Sequence, residues 1–303
     1  MRLACAIVLV MGLVLPARAQ NERGWSFSGS FSGSSNSGGT VMKTEPVLGY
    51  SVNNHFQTYV GMPLYFVNLS ATPSTMTAPS NTSGFENGIG NAFLGFRYSV
   101  QNDALNYSST LELTAPTGDK SHGFSTGRVT ADWSNRFSHR FDSFTPFGSA
   151  GVANTISDTA FFMRPFTSLG LVGHFEGGGT YDITRYVQVS GSAYAVRASG
   201  DQKIFSKVVK RQSNISSTTL GTSGRGTGTS GIAGTSGTSD TKNRVFDTQA
   251  ESIVPSEIAN DHGVSAWFGV SPSSAVDFHA GYSRSIHYDF NTFFFGVGFH
   301  LGK

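Results

Sequence analysis

The sequence predicts an all-β protein: an antiparallel transmembrane β-barrel of about 12 strands, with short periplasmic turns and long extracellular loops. Three observations predict it. The first is a period of two, clearest at Leu105–Ala115, where Leu105, Tyr107, Ser109, Leu111, Leu113 and Ala115 alternate with Asn106, Ser108, Thr110, Glu112 and Thr114. Side chains on a strand switch faces at every residue, so one surface is oily and the other wet. The second is a sorting of the connections by length. The third is an export signal ahead of a chain only 13% charged, against about 25% for a soluble domain.

Residues 1–19 read as a secretory signal and 20–303 as a single barrel domain. Arg2 gives the positive start, Leu3–Leu15 the apolar run, and Ala17-Arg18-Ala19 a small-x-small cleavage site. The run has 13 residues, short of the roughly 20 that a spanning helix needs. The competing reading, an uncleaved interfacial anchor, fits these flanks less well. Cys5 lies inside the signal, so the mature chain has no cysteine for a disulfide or a thiolate metal site. No later segment approaches 18 continuous apolar residues. In a membrane, the alternative that satisfies every backbone group is a closed barrel. The 25 Phe and 37 Gly residues suit aromatic girdles and closely packed, curved strands.

The strands are expected near 24–33, 45–53, 55–68, 89–100, 105–115, 128–137, 144–154, 168–181, 186–197, 262–271, 275–284 and 291–302. Tight turns follow the even-numbered ones, at Asn53-Asn54, Gln101–Ala104, Ser138–Ser143, Asp182–Arg185 and Pro272–Ser274. Longer connections follow the odd-numbered ones. A barrel with both ends in the periplasm puts every second connection there, where turns are short. A soluble sandwich has no reason to sort its loops.

The apolar face is expected to meet lipid: Leu94, Phe96 and Val100, then Leu111 and Leu113, then Val129, Ala131 and Trp133, and later Leu171, Val189, Phe268, Phe295 and Phe299, among others. Inward, lining the lumen, fall Arg97, Glu112, Arg128, Asp132, His174, Glu176, Gln188, Trp267, Asp277 and His279. Pairing Val100 with Leu105 sets Arg97 opposite Ser108, and pairing Val270 with Val276 sets Trp267 opposite His279. Both agree with that facing. At Asn53-Asn54 a two-residue loop would send Tyr50 and Phe56 to different faces, and a three-residue loop would reunite them. A one-residue slip inverts a strand, so the facing of strands 2 and 3 stays open.

Residues 198–262 form the longest expected external loop, and within it 212–243 are nearly all Ser, Thr, Gly and Asn. Such a tract buries too little apolar surface to offset its ordering entropy. Before it, Lys203–Arg211 alternates cations with apolar residues. That segment reads as a solvated loop base, with two rivals: an extension of strand 9, or an amphipathic helix on anionic lipopolysaccharide. At the end of the chain, Gly296, Phe299 and Leu301 have a spacing similar to the terminal signal read by the barrel-insertion machinery, without the usual final aromatic.

No catalytic or metal motif stands out. The GxGxxG at Gly226, Gly228 and Gly231 has neither a strand before it nor a helix after it. There is no HExxH, and the eight His residues are scattered, so neither metal nor cofactor is expected. A net charge of +2 gives no argument for nucleic acid. A lipase reading would join Ser265, His279 and Asp277, which needs Ser and His within about 3 Å of each other. It would place them in the lumen, away from lipid, without a G-x-S-x-G elbow. The lumenal charges have two readings: a paired network filling the interior, or the lining of a conduit that biases which solutes pass.

The middle of the chain carries more. Gly88-Ile89-Gly90-Asn91 opens strand 4, Thr114-Ala115-Pro116-Thr117-Gly118-Asp119 ends strand 5, and Ser125-Thr126-Gly127-Arg128 leads to Ala131-Asp132. Pro116 cannot donate to a ladder and ends its strand, and Thr117-Gly118-Asp119 turns the chain. This order resembles the outer-membrane family described as meta-pathway phenol degradation proteins, over about residues 85–155, with Asn91 where the family more often has Asp. The resemblance implies uptake of small hydrophobic or aromatic compounds across the outer membrane, not degradation of phenol. The expectation is thus a non-enzymatic, passive channel or transporter in the bacterial outer membrane. Its partners would be membrane lipid and lipopolysaccharide, the insertion machinery during assembly, and a small-molecule solute. The rival is a structural or adhesive barrel with a plugged lumen.

Overall fold

The computed structural model describes residues 23–36, 39–69, 85–102, 105–118, 124–125, 127–155, 168–207, 247–254, 259–287 and 289–301. The signal segment with Cys5, the tract 212–243 and its GxGxxG lie outside the described residues. In chain order the strands are β1 (Gly24–Asn36), β2 (Gly39–Ser51), β3 (Phe56–Gly61), β4 (Leu64–Leu69), β5 (Phe85–Ile89), β6 (Phe93–Gln101), β7 (Asn106–Thr114), β8 (Thr130–Ser138), β9 (Phe144–Thr155), β10 (Ser168–Thr184), β11 (Val187–Lys207), β12 (Asp247–Val254), β13 (Asp261–Ser273), β14 (Val276–Ser285) and β15 (Phe290–Leu301).

Every neighbouring pair is antiparallel, and the sheet closes because β1 pairs with β2 on one side and β15 on the other, from Phe27↔Leu301 to Ser35↔Phe293. Three passes are each split in two. β3 and β4 pair with successive halves of β2, β5 and β6 continue one another beside them, and β12 and β13 both pair with β11. The barrel therefore has twelve passes and no free edge. The breaks have local causes. Pro63 offers no N–H, and its carbonyl instead accepts from Gly90 N at 2.8 Å, across from the break at Gly90-Asn91-Ala92.

Period two decides the two faces. Leu94, Phe96, Leu111, Leu113, Val189, Phe268, Phe295 and Phe299 all project outward and lie bare, each about 40% exposed or more. An apolar surface circling the whole barrel is stable only against lipid. Polar atoms on this wall find partners on it. Trp133 Nε1 donates to Ser109 Oγ at 3.0 Å, and Tyr107 Oη donates to Asn135 Oδ1 at 2.8 Å. At the end carrying the short turns, aromatic pairs bridge neighbouring strands: Trp25–Tyr50, Phe56–Tyr98 and Tyr107–Phe137, with ring centroids 4.9–5.1 Å apart. They form an interfacial girdle.

Connection lengths are sorted less evenly than the sequence implies. The turn end holds Gly24, Leu301 and five short links. At the opposite mouth, however, two of the six links are short as well: β1 and β2 stay paired out to Asn36↔Gly39, and β14 and β15 to Ser285↔Phe290. Once two strands are in register, a Ser/Gly/Thr-rich run can extend the ladder with no oily face to announce it. Within the expected long loop, β11 likewise reaches Lys207 and pairs with β12. Strand extension is thus the reading of 203–207 that the fold adopts, and residues 208–211 lie outside the described part.

Registers also differ. Arg97 pairs with Thr110, not Ser108, and Trp267 with Gly281, not His279. Both shifts are of two residues, so every face is preserved. The first comes from a four-residue turn, 102–105, that sits one position later than expected, after Gln101↔Asn106, and its Asn102 Oδ1 accepts from Leu105 N at 2.7 Å. The second comes from a two-residue turn, 274–275, whose closing pair Ser273↔Val276 alone would shift the register by three, and a bulge between Val270 and Ser273 takes one back. At Asn53 the open question closes. Ser51↔Gln57 is the register of the three-residue loop, and Asn53 Oδ1 holds it by accepting from His55 N and Phe56 N, both at 2.8 Å.

Candidate functional site

Inside the barrel the wet face of β3 and β6–β11 encloses a polar space of about 760 Å³. Its side chains lie flat because the neighbouring strand carries glycine where they cross. A Cβ on Gly95 would stand 2.0 Å from the Tyr59 ring, and one on Gly151 would stand 2.3 Å from the His174 ring. Tyr59 laid over Gly95 donates from Oη to Glu112 Oε2 at 3.2 Å, and its ring takes the Arg97 guanidinium at 5.5 Å. His174 over Gly151 brings Nε2 to 3.1 Å from Asp132 Oδ1. On the adjoining wall Lys43 pairs with Glu45 at 3.1 Å.

Toward the turn end a second space of about 200 Å³ has aromatic walls, Phe147, Trp267 and Phe294, with Gln188, Asp277 and His279. The Arg136 guanidinium lies over Phe147 at 4.3 Å, and Phe147 and Trp267 have centroids 6.4 Å apart. Asp277 Oδ1 meets His300 Nε2 at 2.9 Å, and His279 Nδ1 is 3.9 Å from Asp277 Oδ2. Arg136 and Glu176 line both spaces and mark their junction.

At the far mouth two apolar clusters pack on the inward face. Phe124, from the connection after β7, is buried and stacks on Tyr65 at 6.0 Å, over Gly88, where a Cβ would lie 2.3 Å from its ring. Ala259, just before β13, packs with Val172 and Val196. The motif residues meet here. Thr117 Oγ1 accepts from Ala92 N at 2.7 Å and Asn91 Oδ1 accepts from Gly118 N at 3.1 Å, which ties the β5–β6 break to the turn after β7. Asn91 or an Asp would serve equally as acceptor.

Of the ten residues expected inward, Arg97, Glu112, Asp132, His174 and Glu176 line the larger space. Gln188, Trp267, Asp277 and His279 line the smaller one, which Glu176 also reaches. Arg128 stands apart: it occupies an exposed bend ahead of β8, which begins only at Thr130. Glu45, Gln57 and Tyr59 were passed over in the sequence because the Asn53 turn left the facing of their strands open, and Lys43 because it precedes the expected strand, which in fact begins at Gly39. Arg136 was legible by parity, four residues beyond inward Asp132. The hydrolase set is not assembled. Ser265 Oγ donates to Ser283 Oγ at 3.0 Å, and Gly269, the partner of His279, lies four residues farther along β13, roughly 13 Å at strand spacing.

With this geometry in view, likeness to known proteins is a matter of shape. No family model matches the chain, and no curated protein does. In the solved structures, an outer membrane channel from Pseudomonas putida F1 superposes with a TM-score of 0.53 at 9% identity, covering 95% of this chain and 100% of that one. The fold is that of an outer-membrane barrel. The NanC porin follows at a TM-score of 0.46 and 8% identity, covering 89% and 98%, and a monoaromatic hydrocarbon channel, a TodX mutant, at 0.42 and 8%, covering 94% and 91%. These last two are too distant to bear on what this chain does.

Proposed function

We propose that the protein is a passive outer-membrane channel for small solutes, hydrophobic or aromatic ones included, and that it performs no covalent chemistry. The observation that carries this reading is the continuous polar lining from Gln57 and Arg97 to the junction at Arg136 and Glu176, opening onto an aromatic chamber at the turn end. A lumen closed by paired charges would not leave about 760 Å³ between them. The resemblance over residues 85–155 to the phenol-pathway outer-membrane proteins supports the same class of solute. Export through a cleaved signal and contact with lipopolysaccharide and the insertion machinery belong to this proposal.

A second reading, a structural or adhesive barrel with a plugged lumen, draws on the inward packing of Phe124 and Ala259 at the far mouth. Conductance of the refolded protein in planar bilayers separates the two. Discrete openings, with slower solute influx in a deletion strain, are expected of a channel. A silent bilayer together with unchanged influx would leave the plugged barrel.

A further inference from the structure

We infer that the turn-end chamber selects small organic ammonium ions, with Glu176 as counter-charge and Trp267 and Phe294 as the faces on which the cation rests, beside the Phe147 ring that Arg136 covers. The inference deepens the channel reading and rests on it. Its first support is electrostatic. Between the rims, and among the described residues, the inward acids Glu45, Glu112, Asp132, Glu176, Asp261 and Asp277 outnumber the inward bases Lys43, Arg97 and Arg136. An excess of one sign in a low-dielectric passage raises the local concentration of the opposite one.

The second support is the state of each charge. Glu45 holds Lys43, Glu112 takes the Tyr59 hydroxyl, Asp132 meets His174, Asp261 accepts from Tyr194 and Ser285, and Asp277 meets His300. Glu176 has no hydrogen-bond or ion-pair partner among the described residues. It stands at the junction of the two spaces, and in the row Arg136↔Ser149↔Glu176 the β9 residue Ser149 lies between it and Arg136, whose guanidinium is laid over Phe147. A carboxylate left unpaired there is a position for a mobile cation.

The third support is the chamber wall. Arg136 already lies over Phe147 at 4.3 Å, so this cluster accepts a cation on a ring face in the protein itself. Trp267 and Phe294 carry further faces into the same space. A desolvated cation gains most from Trp, then Tyr and Phe. Carboxylate and ring faces together recognise an ammonium carrying apolar groups; they offer nothing comparable to a carboxylate of the same shape.

The sequence supplies the probe. Of the three Trp residues, Trp25 and Trp133 face outward, and Trp267 lines the chamber. In a Trp25→Phe/Trp133→Phe background, Trp267 fluorescence of the detergent-solubilised protein is titrated with benzyltrimethylammonium, benzyl alcohol or benzoate. The ammonium is expected to saturate at about tenfold lower concentration than the alcohol, the scale of one desolvated cation–π contact, with benzoate weakest. Glu176→Gln should narrow that margin. Benzoate binding as tightly as the ammonium, or a margin unchanged in Glu176→Gln, overturns the inference. In bilayers under a KCl gradient, the reversal potential should report cation preference, reduced in Glu176→Gln. A protein that binds the ammonium but never opens would refute the channel reading and leave this chamber's selectivity standing.

Discussion

Which side of the wall a residue faces sets the cost of changing it. Leu111 projects into lipid and Thr110, its neighbour, into the lumen, in the row that joins Arg97 to Ser134. Leu111→Arg is expected to lower stability by about 2–4 kcal/mol if the position lies near the bilayer midplane. Thr110→Arg should cost far less and shift ion preference toward anions. Equal losses at the two positions, in denaturant titrations of protein folded into vesicles, would contradict the facing. Glycines divide the same way. Gly95→Val drives into the Tyr59 ring and should cost about 1–3 kcal/mol, the usual penalty of overpacking, while removing the Tyr59–Glu112 contact. Gly29→Ala, which meets nothing within 4 Å, should leave stability within about 0.5 kcal/mol by the same assay.

Elements here are governed by their turns and breaks. One side-chain oxygen, on Asn53, satisfies two backbone N–H groups and so fixes the register of β3 against β2. Asn53→Ala should cost about 1–2 kcal/mol, read in the same denaturant titration. That register decides that Tyr59 turns inward, and Lys43 and Glu45 share its face. The connection after β7 is anchored in a different manner, by the Phe124 ring over Gly88 and by Thr117 and Asn91 at the β5–β6 break. Because Phe124 belongs to a connection and not to the closed sheet, Phe124→Ala is expected to widen the far mouth. Single-channel conductance should rise while the barrel's unfolding midpoint barely moves; a fall in conductance would count against Phe124 as the constriction.

For the whole molecule, closure is the organising fact. β1 meets β15, so no edge is left for another chain to extend, and the polar side chains of separate strands are brought round one interior. Tyr59 and Glu112 are 53 residues apart, and His174 and Asp132 are 42 apart, yet each pair touches over one intervening strand of the wall. Strand membership and facing were readable for most passes, because a period of two is a local property. The extension of β1 and β2 to Asn36↔Gly39 was not, since Ser, Gly and Thr carry no oily face, while that of β11 to Lys207 stood as one reading among three. Arg128 falls outside the paired strand for a related reason: alternation alone does not mark where pairing begins, and the strand starts two residues later.

By itself the sequence determined that this chain alternates, that its oily face meets lipid, and that twelve passes can close into a barrel, because each follows from side-chain parity along one strand. Tertiary structure alone decided the registers, the Asn53 turn, the pairing of charges and, among the described residues, the lack of a partner for Glu176. Those depend on which residues of different strands lie opposite one another, and a shift of two leaves parity unchanged while replacing every partner. The wall was therefore legible before the lumen.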